Sequence, residues 1–281
     1  MITGLNSGRN CIENGYPFVE SILSKLPLCE EYLISDGGST DGTYEVLKRM
    51  EKTFPKIKVF LWPDIKNIRW DSCGIASNRF INMAKGNWIY LDNMDEVIHE
   101  KDLGALRERI LEEKTADVLR YDRKEVVNGW RRLTDDIYWP SRTARKIPGL
   151  FMNWNQYGGD EFLDSLGWIR SPPRCIKIPF KIYHLHAVFP GNVINKRRND
   201  AEWIAPGDKH RVRAYDQIKG GKRELTTPKL ESVYRDLPAI IEDLPFMHTY
   251  NVREELFDVD WLQRKTGLKY KKEELFTSSL S

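Results

Sequence analysis

Two short segments combine acidic side chains with glycine or amide groups at a spacing that could do chemistry. The first is residues 36–43, DGGSTDGT, and the second is residues 86–96, GNWIYLDNMDE. A carboxylate such as Asp36 can accept a hydrogen bond from the imide N–H of a pyrimidine base, and adjacent glycines let a ligand approach the backbone. The clustered oxygens of the second segment suit a hard divalent cation that also holds diphosphate oxygens. From these residues alone, a glycine-rich turn with Asp41 as a helix cap and a polar exit from a strand stay open as alternatives.

The elements around both segments alternate between buried strands and amphipathic helices. Short apolar runs predict strands, and apolar residues at helical spacing predict helices. The predicted strands cover 31–35, 57–62, 88–91 and 116–121, and the predicted helices cover 12–26, 46–54, 72–85 and 101–113. This alternation indicates an α/β fold, with a mostly parallel sheet and helices on both faces. Ligands bind beyond the carboxyl ends of such strands, and each acidic segment follows the end of a strand.

The composition is that of a globular chain. The 281 residues are 41% hydrophobic and 30% charged with a formal net charge of +3, which excludes a disordered chain and does not favour nucleic acid as a partner. No apolar run approaches the roughly 18 residues that a transmembrane segment needs, and the amino terminus does not resemble a secretory signal. The four cysteines lie far apart without a CxxC pair, so we expect a cytoplasmic protein, with peripheral contact to a membrane as a variant.

The order of the two segments resembles the inverting nucleotide-sugar glycosyltransferases of family 2, which have a GT-A (Rossmann-like) fold. That family has a strand ending in Asp, followed by Ser, Asp and Thr. The matching residues, with one residue added after the first, are Asp36, Ser39, Asp41 and Thr43. The family then has an Arg-Asn pair in a helix that closes with Ala-x-Gly, and the chain keeps Asn78 and residues 84–86 but not the arginine. The resemblance covers about residues 1–190.

The metal motif of that family falls on residues 93–96, NMDE, when residues are counted without gaps from Gly86. The chain is most similar to a branch with an amide at the first position, and Asp92 would restore a carboxylate if the strand shifted by one residue. The resemblance implies Mn²⁺ or Mg²⁺ as a cofactor, which would act as a Lewis acid on the leaving diphosphate. The implied metal ligands are two acids of the motif and two late histidines: Asp95, Glu96, His184 and His186.

Residues implied in donor binding come from several segments. Residues 3–6 occupy the loop that the family places after strand one, and Arg142 and Arg145 are forked donors that suit phosphate oxygens. The full set is Thr3, Gly4, Asn6, Asp36, Gly37, Ser39, Asn78, Asn93, Arg142 and Arg145. Three tryptophans could stack on sugar faces: Trp139, Trp154 and Trp168.

A catalytic base is implied in a loop well after the metal motif, and residues 158–162, GGDEF, are the candidates. Asp160 or Glu161 would accept the proton of the acceptor hydroxyl as that hydroxyl attacks the anomeric carbon. Neighbouring side chains of an extended segment point to opposite faces, so only one of the two is expected to face the substrate. Asp160 is favoured because it follows two glycines and has the shorter side chain.

Regular patterning loosens after about residue 123. Residues 196–223 contain nine basic and four acidic side chains, which predicts a basic loop that could close over the diphosphate. We expect a GT-A domain at 1–195, a basic flexible loop region at 196–227 and a C-terminal helical extension at 228–281.

The family resemblance implies transfer of a sugar from a nucleoside-diphosphate sugar to an acceptor hydroxyl, with inversion. A UDP-sugar is the expected donor, and the acceptor is a carbohydrate, a lipid-linked molecule or a protein. Two other functions stay open. A sugar-1-phosphate nucleotidylyltransferase uses a related sheet, although residues 4–9 supply only a poor version of its amino-terminal loop. A non-catalytic relative that binds nucleotide or glycan would account for Asn93 and for the missing arginine.

Overall fold

The computed structural model describes residues 1–62, 72–126, 131–133, 139–154, 160–185, 188–199, 201, 230–233, 237–242, 244, 247 and 249–270. The strands are β1 (Ile2–Gly8), β2 (Glu31–Asp36), β3 (Ile57–Leu61), β4 (Trp88–Leu91), β5 (Glu96–Val97), β6 (Val118–Glu125), β7 (Arg131–Leu133), β8 (Ser141–Arg145), β9 (Phe151–Trp154), β10 (Asp160–Asp164), β11 (Gly167–Trp168), β12 (Cys175–His184) and β13 (Leu230–Val233). The α-helices are α1 (Phe18–Lys25), α2 (Thr43–Thr53), α3 (Ser72–Met83), α4 (Leu103–Glu112), α5 (Val193–Asn199) and α6 (Val259–Thr266).

An eight-stranded sheet forms the centre of the fold, in the order β3-β2-β1-β4-β8-β6-β12-β5. Strands β1 to β4 run parallel, and β6 pairs with β12 in parallel. β8 runs antiparallel to both β4 and β6, and β5 runs antiparallel to β12. The carboxyl ends of β1, β2, β4, β6 and β12 therefore share one edge of the sheet, which we call the carboxyl edge.

Both faces of this sheet are covered, as the alternating pattern predicts. α1, α2 and α4 pack on one face together with apolar side chains of residues 237–270. α3 packs on the other face with a three-stranded sheet of β9, β10 and β11. Burial of these apolar surfaces stabilises the fold by about 25 cal/mol per Å² removed from water. The predicted α/β class with a mostly parallel sheet is confirmed.

The amino-terminal region differs from the sequence prediction in two places. β1 continues to Gly8, so residues 3–6 lie inside a strand and the loop after it begins at residue 9. α1 begins at Phe18 instead of near residue 12. In the loop between them, Asn10 and Gly15 have positive φ angles of 48° and 68°, left-handed conformations that an α-helix does not contain.

Within the described residues after 233, the chain forms short 3₁₀ segments and the helix α6. The predicted boundary between residues 195 and 196 falls inside α5. Residues 202–229, which include most of the predicted basic loop, and His186 lie outside the described residues. Among the helices described, none is long and apolar enough to cross a membrane.

Candidate functional site

Asp36 ends β2 and organises the glycine-rich turn that follows it. Its Oδ1 accepts hydrogen bonds from the backbone N–H groups of Gly38 and Ser39 at 2.9 and 2.8 Å, and its Oδ2 accepts one from the Ser39 hydroxyl at 2.6 Å. The carboxylate is fully buried. Gly38 has a φ of 78°, a conformation that favours glycine. Asp36 therefore shapes the turn, and its direct contact with a nucleotide base stays a prediction.

The turn at residues 36–43 is joined to the loop after β1. The Asn10 backbone N–H donates to the Ser39 hydroxyl at 2.9 Å, and the Asn10 side-chain oxygen accepts from the Thr40 N–H at 2.9 Å. Asp41 Oδ2 accepts from the Glu13 N–H at 2.8 Å. Asp41 Oδ1 also accepts from the first backbone N–H of α2 at 3.0 Å. Asp41 thus holds the start of a helix and the adjacent loop at once.

Asp92, directly after β4, belongs to a fully buried ion pair. Lys25 Nζ lies 2.6 Å from Asp92 Oδ1, and neither side chain is exposed. Asp92 Oδ2 accepts hydrogen bonds from Asn6 Nδ2 at 2.9 Å and from the Tyr32 hydroxyl. Burial raises the pKa of Asp92 to about 6, although the nearby Lys25 acts to lower it. Asn6, a predicted donor ligand, therefore directs its amide to a carboxylate of the interior.

A second group of charged side chains lies at the carboxyl edge. We call it the edge cluster, and its members are Asp95, Glu96, Glu125, Arg142, His184 and Lys196. His184 Nε2 and Lys196 Nζ lie 3.2 and 3.1 Å from the same oxygen, Asp95 Oδ2. His184 Nδ1 lies 2.7 Å from Glu125 Oε2. Burial alone would lower the pKa of His184, but the Asp95 and Glu125 carboxylates raise it to about 10, so the imidazole carries two N–H donors at neutral pH.

Glu96 and Arg142 form the buried half of the edge cluster. Arg142 Nε and Nη2 donate to the two Glu96 oxygens, each at 2.7 Å, and both side chains are at most 1% exposed. Burial acts to raise the pKa of Glu96, but the guanidinium of Arg142 lowers it overall. A planar guanidinium matches a carboxylate in this geometry. The predicted contact between Arg142 and the donor phosphate is therefore corrected, because Arg142 is fully buried against a protein carboxylate.

The two acidic segments meet around Cys11, in the loop after β1. Its thiol is buried, and a Cβ added to Gly8 would lie 2.8 Å from the Cys11 sulfur. Burial raises the pKa of the Cys11 thiol, and the carboxylates of Asp41, Asp36 and Asp95 raise it further. The same Cβ added to Gly8 would lie 2.8 Å from the Met94 side chain, and the loop also donates to Asp41 from the Glu13 N–H at 2.8 Å. The loop therefore lies between the turn at 36–43 and the segment that carries Asp95.

Thr3 and Gly4 lie far from this meeting point, in the first half of β1. The Thr3 hydroxyl accepts a hydrogen bond from the Gly86 N–H at 2.9 Å, which joins the start of β1 to the start of β4. A Cβ on Gly4 would lie 2.5 Å from the Tyr32 ring, so glycine is required there for packing. The placement of these residues in the loop after strand one is wrong, because that strand extends to Gly8.

Asn78 and Arg145 also have structural contacts. Asn78 Nδ2 donates to the Met152 carbonyl at 2.8 Å, and Asn78 Oδ1 accepts from the Met152 N–H at 2.7 Å, which joins α3 to β9. Arg145 pairs in register with Trp88, the first residue of β4, and its guanidinium lies 4.4 Å from the centre of the Trp88 ring. Because β8 runs antiparallel to β4, Arg145 lies at the opposite edge of the sheet from the edge cluster. This position contradicts its predicted phosphate contact.

Asp160 and Glu161 begin β10, which pairs antiparallel with β9. Arg120 Nη2 donates to both oxygens of Glu161 at 3.2 Å, and Arg170 Nε lies 3.3 Å from Glu161 Oε2. Arg120 Nε also donates to the hydroxyl of Ser141, the residue before the edge-cluster arginine, at 3.3 Å. Arg120 therefore joins the start of β10 to β8, and Glu161 is bound by two guanidinium groups.

A family model described as Glycosyl transferase family 2 matches residues 10–162. That match spans more than half of the chain and includes both acidic segments. The chain belongs to glycosyl transferase family 2. It is therefore a glycosyltransferase, as the two acidic segments predict.

Solved structures of glycosyltransferases are similar to this family 2 chain at low sequence identity. TarS of S. aureus in complex with UDP is 16% identical with a TM-score of 0.45, and the alignment covers 79% of this chain and 70% of that one. The mannosyltransferase PcManGT of Pyrobaculum calidifontis with GDP-Man and Mn²⁺ is 15% identical with a TM-score of 0.44, and the alignment covers 72% of this chain and 61% of that one. Glucosyl-3-phosphoglycerate synthase of Mycobacterium tuberculosis with Mn²⁺ and UDP is 18% identical with a TM-score of 0.35, and the alignment covers 44% of each chain.

The residues predicted to hold a divalent metal are brought together but do not fit one in this arrangement. Both Glu96 oxygens are bound by Arg142, and a protonated His184 has no lone pair for a metal. Asp95 Oδ2 faces Lys196 and His184. Across the ranges that the structure describes, no group of three or more His, Cys, Asp or Glu could hold a metal ion. His186 lies outside those ranges.

Three charged residues with central positions escape sequence reasoning: Lys25, Glu125 and Lys196. Lys196 belongs to the basic segment at 196–223, and its spacing does not distinguish it from the other basic residues there. Glu125 ends β6 and would have been found if that strand were extended beyond residue 121. Lys25 is the last residue of α1, where a lysine is usually a solvent-exposed end of the helix, so the sequence does not indicate a buried partner.

Proposed function

We propose that this family 2 glycosyltransferase transfers a sugar from a nucleoside-diphosphate sugar to an acceptor hydroxyl, with inversion at the anomeric carbon. The observation that carries the proposal is that the loop after β1 contacts the turn at 36–43 through Asp41 and approaches Met94, the residue before Asp95, at the carboxyl edge of the sheet. Ligands of open α/β sheets bind at this edge. The turn supplies accessible backbone, and the cluster supplies the ammonium group of Lys196.

In this proposal the donor nucleoside lies along the glycine-rich turn and its diphosphate points toward the edge cluster. Gly37 and Gly38 carry no side chain that would keep a ligand from the backbone. Ser39 is held by Asp36 and Asn10, so the turn has one defined shape before the donor arrives. Such preorganisation lowers the ordering cost of binding. A carbohydrate, a lipid-linked molecule or a protein is the proposed acceptor.

We propose Asp160 as the general base. Inversion requires a single displacement, in which one carboxylate accepts the proton of the attacking hydroxyl while the diphosphate leaves from the opposite face. Glu161 is bound by Arg120 and Arg170, which supports a structural role for it. Asp160→Asn is expected to lower kcat by at least about 100-fold and to leave donor affinity unchanged. Glu161→Gln is the matched control and is expected to lower stability more than kcat; the reverse pattern would make Glu161 the base.

Turnover of a donor panel tests the proposed function. UDP-glucose, UDP-N-acetylglucosamine, GDP-mannose and a dTDP-sugar are incubated with the protein, and release of the nucleoside diphosphate is measured with added Mn²⁺ and with EDTA. Proton NMR of the anomeric position of the product then gives the stereochemistry. An α-linked donor is expected to give a β-configured product. Retention contradicts the single displacement, and tight nucleotide binding with no turnover on any donor favours the non-catalytic alternative.

The Mn²⁺ and EDTA arms of that assay also address the metal dependence predicted from the family resemblance. The described side chains do not fit a divalent cation, so no step of the proposed reaction passes through a metal. The side chains of this chain bind the donor, hold the turn and accept the proton.

A further inference from the structure

Lys196 brings a fixed positive charge into the edge cluster. Its Nζ lies 3.1 Å from Asp95 Oδ2 and 4.1 Å from the centre of the Tyr16 ring, and the side chain is only 8% exposed. Asn192, at the end of the 3₁₀ turn before α5, donates from its side chain to the Glu13 carbonyl at 2.9 Å in the loop after β1. The same loop contacts the turn at 36–43 through Asp41 (2.8 Å). Lys196 is therefore held beside the proposed donor site.

Each carboxylate of the edge cluster already forms an ion pair with a lysine or arginine side chain. The pairs are Asp95 with Lys196, Glu96 with Arg142 and Glu125 with Arg123, at 3.1, 2.7 and 2.6 Å. His184 adds further N–H groups between two of these acids. A divalent cation at Asp95 would have to displace Lys196 or lie beside it, and charge repulsion opposes both. The ammonium of Lys196 has the opposite charge to a diphosphate and can donate N–H groups to its oxygens beside Asp95.

We propose that Lys196 binds the donor diphosphate at the edge cluster, where the family resemblance implies a divalent metal, and that Asp95 positions Lys196. This inference rests on the proposed function. A lysine ammonium is a compact point charge and a common phosphate-binding group. The carboxylate of Asp95 holds the ammonium near the edge of the sheet, where the leaving diphosphate develops charge. Asp95 is therefore a positioning residue for a cation that belongs to the protein itself.

Isothermal titration calorimetry of the full chain with UDP, GDP and dTDP tests this assignment, in EDTA and in Mn²⁺. At least one nucleotide is expected to bind with a Kd that differs less than about 3-fold between the two buffers, which corresponds to about 0.7 kcal/mol. Lys196→Met is expected to weaken that binding by about 10- to 100-fold, the range for a hydrogen bond to a charged group. Lys196→Arg keeps the charge and is expected to bind within about 10-fold of the wild type.

Lys181→Met is the matched control, because Lys181 is an exposed lysine of β12 and its substitution removes the same charge outside the edge cluster. It is expected to change Kd less than about 2-fold, since exposed charges are screened by salt. Thermal unfolding of every variant checks that weaker binding does not arise from unfolding. Asp95→Asn keeps the size of the side chain and is expected to weaken binding in EDTA, because Lys196 loses its partner.

The inference is overturned if Mn²⁺ tightens wild-type binding more than about 10-fold and Asp95→Asn abolishes that gain, because Asp95 would then be a metal ligand. It is equally overturned if Lys196→Met binds as the wild type does. In both cases a nucleotide still binds and the proposed function stands. Binding of no nucleotide and of no UDP-, GDP- or dTDP-sugar in either buffer overturns the proposed function together with the inference.

Discussion

Asp92 and Asp95 follow the same strand, yet their carboxylates have different surroundings. Asp92 has no exposed surface and faces Lys25, whereas Asp95 lies at the carboxyl edge with Lys196 and His184. A charge that loses its partner in the interior is costly, because neither water nor a counter-ion replaces the lost contact. At the residue scale, Asp92 is therefore expected to stabilise the fold and Asp95 to order the site.

Substitution of Asp92 tests the first of these roles. Asp92→Asn keeps the acceptor for Asn6 and Tyr32 but leaves Lys25 charged and buried, so the free energy of unfolding is expected to fall by about 3–5 kcal/mol. The double variant Lys25→Met/Asp92→Asn removes both charges and is expected to recover most of that loss. Urea unfolding followed by circular dichroism measures both. A single variant as stable as the wild type would show that the pair contributes nothing.

The environment of His184 predicts a pH dependence of stability. Its pKa is raised from an ordinary 6.5 to about 10, so between these values the folded state keeps a proton that the unfolded state releases. The stabilisation is complete below pH 6.5 and is lost as the pH rises toward 10, with a slope of at most about 1.4 kcal/mol per pH unit. The difference in unfolding free energy between wild type and His184→Gln is expected to shrink over that range. A difference that does not change with pH contradicts the assignment.

At the element scale, the loop after β1 is held from two sides. Asp41 and Ser39 bind it from the turn at 36–43, and Asn192 binds it from the segment before α5. Gly15 lies at the closest approach, since a Cβ added there would lie 2.5 Å from the Asn192 Cβ. The loop therefore has its shape from neighbouring elements as well as from its own sequence.

A pair of glycine substitutions separates local backbone strain from this close approach. Gly15 and Gly38 both have positive φ, at 68° and 78°, but only Gly15 faces a neighbour, because a Cβ on Gly38 would meet nothing within 4 Å. Gly38→Ala is expected to cost about 1–2 kcal/mol from backbone strain. Gly15→Ala is expected to cost at least about 1 kcal/mol more, because Asn192 must move. Equal losses in urea unfolding would show that the loop adapts freely.

Across the whole molecule, the described residues between 237 and 270 pack against the sheet-covering helix α1. The Tyr250 hydroxyl donates to Glu20 Oε2 at 2.9 Å, and the Tyr250 ring lies 5.9 Å from the Phe18 ring. Burial raises the pKa of Glu20, whereas Arg253 and the hydrogen bond from Tyr250 act to lower it. Since the predicted boundary at 195 also falls inside α5, we propose that these residues and the sheet unfold as one unit instead of as separate segments.

Substitution of Tyr250 tests that cooperativity. Tyr250→Phe removes one donor to a buried carboxylate and is expected to lower the free energy of unfolding by about 1–3 kcal/mol. Tyr250→Ala also leaves a cavity and is expected to cost about 3–5 kcal/mol. Tyr44→Phe on α2, where the side chain is half-buried, is a control for removal of a hydroxyl. Circular dichroism and tryptophan fluorescence are expected to report one coincident transition, and two separate transitions contradict a single unit.

Most of the regular elements could be predicted from the sequence because their signals are local. The predicted strand at 88–91 coincides with β4, and the predicted helix at 72–85 contains α3. Asp36 was expected at a strand end, and β2 ends there. β1 was harder to predict from the sequence, since only two of its residues, Ile2 and Leu5, are strongly apolar. Its polar residues are buried in a central strand because distant residues complete their hydrogen bonds, as Asp92 does for Asn6.

The fold class, the glycine-rich turn and the segment that carries Asp95 could all be predicted from short stretches of sequence. The period of the hydrophobic residues and the spacing of glycines and acids are each encoded within a few residues. The partner of each charge follows instead from the folded arrangement. Asp95 and Lys196 are 101 residues apart, and Glu96 and Arg142 are 46 apart. Charges at such separations meet only because the sheet order and the packing of α5 bring their backbones to one edge. Whether an acid holds a metal, a lysine or an arginine is therefore a property of the fold and not of the spacing along the chain.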